Sequence, residues 1–329
     1  MTLKTEPTAE TALAVGVPAA TRGAPGKRSG AFRRSVRRYW QLYLLMALPI
    51  AWFIIFKYVP MVNAVIAFKD YSPVFGVWGS EWSGFDHFTQ LFSNPTFPTL
   101  VWNTFILAGY ALIAGFPLPI ILALALNEVR VRWFKRTVQM VTYAPYFIST
   151  VVVISMTILL LSPRVGILGR AFSIFGMAQT DMLGDPDMFR HIYVATDLWT
   201  TTGYSAVIYL AALAGVDTSL YEAAKIDGAN RLQKIWHVDL PSIMPTATIV
   251  LILGVGNVMA IGFEKAFLLQ NPLNVSTSEI IATFVYKTGL LNANFSLATA
   301  VGLFNAVINL ILLVSVNAIA KKVTGSGLW

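Results

Sequence analysis

The sequence predicts an all-α polytopic membrane protein with six transmembrane helices and one cytoplasmic loop built as a helix-turn-helix, on three observations. The chain is 56% hydrophobic and 12% charged, with a mean hydropathy of +0.64, whereas a soluble domain carries about a quarter charged residues. Six apolar segments run at about 41–68, 99–126, 138–161, 191–214, 246–269 and 297–320. Each can cross a hydrocarbon core of ~30 Å, for which ~20 helical residues suffice. The cations alternate along the chain: residues 1–38 hold 8 Lys and Arg, 127–137 hold 4, 215–245 hold 3 and the C-terminus 2, leaving 7 of the 24 for everything else. By the positive-inside rule both termini and the 215–245 loop face the cytoplasm. The net charge of +8 is therefore a topology signal, and no nucleic-acid partner is expected.

Residues 1–38 are polar and rich in Thr, Ala, Gly, Pro and Arg, which predicts a disordered basic cytoplasmic tail ahead of a membrane domain spanning 39–325. Glu6 and Glu10 precede the mildly apolar Ala12–Ala20 stretch, where a secretion signal would be positive. Arg33, Arg34, Arg37 and Arg38 stand directly before the first span, placed to meet anionic headgroups of the lipid bilayer. The external loop 69–98 carries Trp78, Trp82 and Asp86, and 162–190 carries Asp181, Asp185 and Asp187; such loops suit an external protein partner or interfacial anchoring equally. After Asn271-Pro272, residues Glu279 to Gly289 read as a short amphipathic external helix. The absence of cysteine excludes disulfides and thiolate chemistry, and the three histidines, His87, His191 and His237, are too scattered to suggest a metal site.

The loop 216–245 is the one long polar stretch in the second half of the chain. Ser219 followed by Glu222 is a capping-box pattern that predicts a helix from about Leu220. Ala223 and Ala224 continue it and Asp227-Gly228 stops it. A second short helix is expected from about Asn230, with Pro241 and Pro245 marking the return to the membrane. Glu222-Ala223-Ala224, then Asp227-Gly228-Ala229, then Val238-Asp239-Leu240-Pro241 resembles the Glu-Ala-Ala loop of binding-protein-dependent ABC importer permeases, with Val238 where that family usually has Ile. The resemblance implies that Glu222, Ala223, Ala224, Asp227, Gly228, Ala229, Leu240 and Pro241 form a coupling helix that docks on an ATPase. It extends over about 40–325. Ile55-Phe56-Lys57-Tyr58-Val59-Pro60, Ala67-Phe68-Lys69-Asp70-Tyr71-Ser72-Pro73 and Leu269-Gln270-Asn271-Pro272 are similar to the carbohydrate permeases that import oligosaccharides. That subgroup usually has Phe-Asp-Gln where this chain has Phe263-Glu264-Lys265. The partners implied are a second permease subunit, two ATPase subunits, an external (periplasmic) solute-binding protein and an oligosaccharide. The location implied is the cytoplasmic (inner) membrane.

Polar side chains inside spans are costly, so each needs a partner or a cavity. By the ~1.5 Å rise per residue, Asn257 falls ~16 Å into the fifth span, Trp199 and Tyr204 ~12 and ~20 Å into the fourth, and Asn305 and Asn309 ~12 and ~18 Å into the sixth. Aromatic faces and amides at one depth suit a sugar, so these five are the candidate solute path. Lys57 at ~25 Å, and Glu264 and Lys265 at ~27 Å, fall near the outer surface, where snorkelling accounts for them. As vestibule charges the two lysines would attract an acidic sugar such as a uronate oligomer. The alternative is an ion-coupled secondary transporter, which needs carboxylates or histidines deep in the spans. Glu264, near the surface, is the span carboxylate counted here. With no paired buried carboxylates and no Gly-x-Ser-x-Gly elbow the chain is not expected to be an enzyme. It has no Walker A loop and binds no cofactor of its own, so ATP and Mg belong to partner subunits.

Overall fold

The computed structural model describes residues 38–163, 166–167, 181–256, 258, 262–324 and 327. The basic tail, Asn257, Arg164 and Arg170 lie outside the described residues. The chain divides into two units with the boundary after Val62. In the first, α1 (Trp40–Phe53) runs into a π-turn over Ile54–Tyr58 and a last turn to Val62. No side chain along it is buried, and the apolar run Trp40–Phe68 is long enough to cross a bilayer.

The second unit opens with a two-stranded antiparallel ribbon, β1 (Lys69–Asp70) on β2 (Glu81–Trp82), the sole β element among the described residues. The Lys69 ammonium lies within it and donates to the carbonyls of Val77, Trp78 and Ser80 at 2.9–3.3 Å. The main helices follow: α2 (Asp86–Ser93), α3 (Phe97–Gly115), α4 (Pro117–Glu128), α5 (Arg132–Tyr143), α6 (Thr150–Leu161), α7 (Pro186–Ala214), α8 (Thr218–Ile226), α9 (Arg231–Lys234), α10 (Leu240–Gly256), α11 (Phe263–Leu269), α12 (Ile281–Tyr286) and α13 (Phe295–Thr324). Four runs are long and apolar enough to span, or up to six if each bent helix pair is one span.

Two expectations change in detail. The predicted span 138–161 is bent by 101° between α5 and α6. Pro145 removes a donor there, and Ser149, in extended conformation, caps α6 by accepting from Val152 N–H. The predicted fifth span, 246–269, starts instead at Arg231 and its helix ends at Gly256, with α11 a separate helix. Hydropathy misplaces it because the polar Arg231–Asp239 segment is helical. A π-turn over Ile235–Asp239 opens the hydrogen-bond ladder just before Pro241, whose missing N–H an α-ladder could not tolerate as well. Elsewhere the match is closer: α7 begins at Asp185-Pro186, with the Asp185 carboxylate capping Asp187 N–H, and the short helix expected over Glu279 to Gly289 runs Ile281–Leu291.

The 29-residue α7 is the spine. It packs along α3, α4, α5 and α10. Its N-terminal half buries Phe189, Tyr193 and Val194 against Leu107, Ile154, Ala266 and Leu269, and its C-terminal half buries Ala206, Tyr209 and Leu213 against Ala123, Ile243 and Ala247. Between the two halves Gly203 lets α5 approach. A Cβ there would sit 1.9 Å from the Thr142 carbonyl oxygen, a backbone atom with little freedom to yield. Gly203→Ala is expected to destabilise the protein by about 1–3 kcal/mol through overpacking, while Gly302→Ala, with nothing within 4 Å, leaves stability unchanged. Thermal unfolding of both variants in detergent checks this; equal melting temperatures would remove Gly203 as the point of closest approach.

Candidate functional site

Two features stand out, one just after the C-terminal end of α7 and one against its middle. The first is the polar loop that follows it. Helix α8 begins two residues earlier than the Ser219–Glu222 pattern suggests: Asp217 is the cap, its carboxylate accepting from Ser219 N–H at 2.9 Å. That bond holds the Asp217 carboxyl below its ordinary range. The helix stops as expected. Gly228 adopts φ +72°, its N–H reaches the Lys225 carbonyl, and Ala229 N–H reaches the Ala224 carbonyl at 2.9 Å. This is a Schellman closure, which a Cβ-free residue satisfies without strain. Asn230 and Gln233 then form a reciprocal capping box for α9.

The result is a projecting knuckle whose two arms enclose a groove of about 380 Å³ lined by Ala223, Ala224, Asp227 and Ala229. Glu222 and Pro241 are exposed and Leu240 is half-buried. Sequence reasoning overlooks four large apolar residues exposed on this knuckle, Leu220, Ile226, Leu232 and Trp236, with Ile226 86% and Leu232 77% accessible. Their signal is plain in retrospect: bulky apolar side chains in the one stretch otherwise polar. At the root of the knuckle the Tyr221 hydroxyl donates to Asp239 Oδ1 at 2.6 Å, and Asp239 is 1% accessible. Burial first, then the Asp239 carboxylate, push the Tyr221 hydroxyl up to about 12. A raised value means this contribution to stability is complete below the ordinary value of 10.0 and is lost as pH climbs through about 12.

The second feature is a cavity of about 440 Å³ against the middle of α7, within the ~300–1,000 Å³ of small-ligand pockets. Tyr146, Tyr193, Thr200, Thr201, Asp197 and Lys265 line it. Lys265 forms an ion pair with Asp197, and its ammonium lies 5.1 Å from the centre of the Tyr193 ring. Thr200 and Thr201 donate back to their own helix at 2.9 and 2.8 Å, on the Thr196 and Asp197 carbonyls, as Ser and Thr do inside apolar helices.

The ion pair revises two readings. Lys265 is not a free surface charge, because it pairs with Asp197 and its side chain is only 12% accessible. Glu264, exposed, lines the same cavity. Asp197 is a second span carboxylate, missed although a lone acid between His191 and Ala214 is itself the signal. Of the other candidates, Tyr204 stacks on Tyr146, with ring centres 4.0 Å apart and planes within 7°. Trp199 lines a separate apolar recess of about 390 Å³ with Leu160 and His191. Asn305 and Asn309, half-buried on α13, lie outside the cavity lining. Lys57 is exposed on the π-turn of the first unit. No cluster of metal-ligating side chains occurs among the described residues.

A helical membrane protein with a projecting helix-turn-helix and a polar recess within its bundle has the build of a transport component. Residues 115–325 match the family described as binding-protein-dependent transport system inner membrane component, and the chain belongs to it. It is 44% identical to the polygalacturonan/rhamnogalacturonan transport system permease protein YteP of Bacillus subtilis (strain 168), over 88% of this chain and 90% of the relative. It is 43% identical to protein LplB of the same organism, over 90% and 93%. Its fold matches a chain of a bacterial alginate ABC transporter crystallised with an alginate pentasaccharide-bound periplasmic protein, with a TM-score of 0.83 and 37% identity, covering 90% of this chain and 99% of that one. The protein is therefore the permease component of an ABC importer, a non-catalytic subunit. Family membership decides against the ion-coupled alternative; a shortage of deep carboxylates does not, since Asp197 is one.

Removing one partner of the ion pair strands the other in apolar surroundings. Asp197→Leu is expected to cost about 2–3 kcal/mol, less than the ~3–5 kcal/mol of a fully buried pair, because the Asp197 side chain stays 32% accessible. Adding Lys265→Met should recover most of it. Thermal unfolding of the single and double variants is the check, and identical melting would show that the pair does not hold the cavity wall.

Proposed function

We propose that this chain imports an acidic oligosaccharide, a uronate oligomer of the galacturonan or alginate kind, received from an external solute-binding protein. The observation that carries the reading is the cavity, where the exposed Tyr146 offers an aromatic surface for sugar C–H groups, threonines and carboxylates offer hydrogen-bond partners, and Lys265 offers a cation. The names of the relatives and of the matched structure support the substrate class, since galacturonan and alginate are both polymers of uronic acids. Lys265 is committed to Asp197, so a uronate carboxylate is recognised by exchange: it takes Lys265 as Asp197 turns to sugar hydroxyls or water. Asp197 and Glu264 keep the cavity from binding an anion too tightly to release it.

In this reading the chain sits in the inner membrane with both termini and the loop 216–245 in the cytoplasm. Residues 39–325 form the permease domain behind a basic tail. The chain pairs with a second, different permease subunit. Two ATPase subunits hydrolyse ATP with Mg, and one of them seats the knuckle. The exposed Ile226, Leu232 and Trp236 supply apolar area for that contact, the paired alanines allow close approach, and Glu222 supplies a charge for pairing. The exposed aromatics of the external ribbon, Trp78, Trp82 and Phe85, suit the binding protein on the opposite face.

Two measurements test this. In proteoliposomes holding the full transporter, Lys265→Met should reduce uptake of galacturonate oligomers about tenfold, the loss of one charge-assisted contact, with less effect on a neutral oligomer of equal length. Equal loss for both, or none for either, would count against acidic-sugar recognition. Glu222→Lys should abolish uptake while leaving the affinity for the binding protein intact; undiminished uptake would count against the docking role.

A further inference from the structure

We infer that the knuckle is clamped to the spans at two polar points, and that this clamp, Glu128–Lys234 together with Tyr221–Asp239, carries displacement of the knuckle into the bundle. The inference rests on the ATPase-docking reading above and concerns what lies behind the docked surface. Helix α8 buries none of its side chains, so no apolar core holds it in place. It is flanked by Gly215 at one end and by the left-handed Gly228 at the other. An element so joined would swing alone when pulled, unless something fastens it.

The fastening is polar and comes from three elements. From α8, Tyr221 donates to Asp239 in the π-turn at the base of α10, at 2.6 Å. The Asn127 side chain, at the end of α4, also reaches the Tyr221 hydroxyl. From α9, Lys234 pairs with Glu128, the last residue of α4, whose side chain is 16% accessible. The Lys234 ammonium also lies 5.5 Å from the centre of the Tyr221 ring, which joins the two points into one cluster. Helix α4 packs along the C-terminal half of α7, and α10 packs on both α7 and α13. Any shift of α8 is therefore passed through directional, largely desolvated bonds to α4 and α10, where such bonds are stiffest. Glu128, Lys234, Tyr221 and Asp239 act as positioning residues: they touch neither solute nor nucleotide.

The test uses the complete transporter in proteoliposomes, with four variants: Glu128→Lys, Lys234→Glu, the two combined as a charge swap, and Tyr221→Phe, which keeps the ring beneath Lys234 and removes only the hydroxyl. Solute taken up per ATP hydrolysed is measured beside ATPase co-purification. Each single variant is expected to retain the ATPase and its hydrolysis but to lose about tenfold in uptake per ATP, in the range by which network residues alter coupling. The charge swap is expected to recover most of that loss. Wild-type stoichiometry in the single variants would overturn the inference. So would loss of the ATPase itself, which would make the cluster a matter of loop shape alone, and so would a swap that assembles without recovering uptake per ATP. Failure of the docking reading is told apart by the wild-type chain: it would not co-purify with the ATPase at all.

Discussion

A bilayer offers no water to a broken helix, so each interruption of the backbone ladder must be closed by the protein itself. Within the spans this falls to the protein's own caps and π-turns, and in the loops outside them helix ends are closed by the same local chemistry. Ser149 closes the bend between α5 and α6, Asp185 opens α7, Asp217 opens α8, Gly228 with Ala229 closes it, and Asn230 with Gln233 opens α9. Where no cap is available the ladder widens instead: π-turns at Ile54–Tyr58, Ile235–Asp239 and Lys287–Leu291 let the helix continue while shifting its register. The turn before Pro241 is the most consequential. It allows α9 and α10 to form one run from the knuckle into the membrane, so the loop is an extension of a span and is not a separate appendage.

The same economy governs charge. Side-chain ion pairs near the bundle join elements distant in sequence, Glu128 to Lys234 and Asp197 to Lys265, and neither cation is left to apolar surroundings. Such pairs add little net stability, because desolvation offsets most of the attraction, but they fix geometry. In the cavity the pair holds a cation ready for exchange with an incoming carboxylate. In the knuckle the Glu128–Lys234 pair ties α9 to the end of α4. At the other end of α7 the buried Asn274 does related work with neutral groups, donating to the carbonyls of Leu183 and Leu269 at 2.9 and 3.1 Å.

Much of this was legible in particular residues. Hydropathy located α3–α4, α7 and α13 to within a few residues, because long apolar runs leave a helix no alternative in lipid. Asp227-Gly228-Ala229 announced a left-handed stop and Asn230 a second start, both local rules that need no tertiary partner. Hydropathy failed at the fifth span, where Arg231–Asp239 is polar yet helical, and at 138–161, where a uniformly apolar stretch conceals a sharp bend.

The sequence by itself determined the membrane class and the turn chemistry of the knuckle, because composition and capping are written in neighbouring residues. Only the tertiary structure decided which side chains meet: Lys265 with Asp197, 68 positions away, Tyr221 with Asp239 across a left-handed turn, and Glu128 with Lys234 from a different span. Those meetings follow from helix bends and from the close approach at Gly203. They depend on the whole bundle, and no local pattern encodes them.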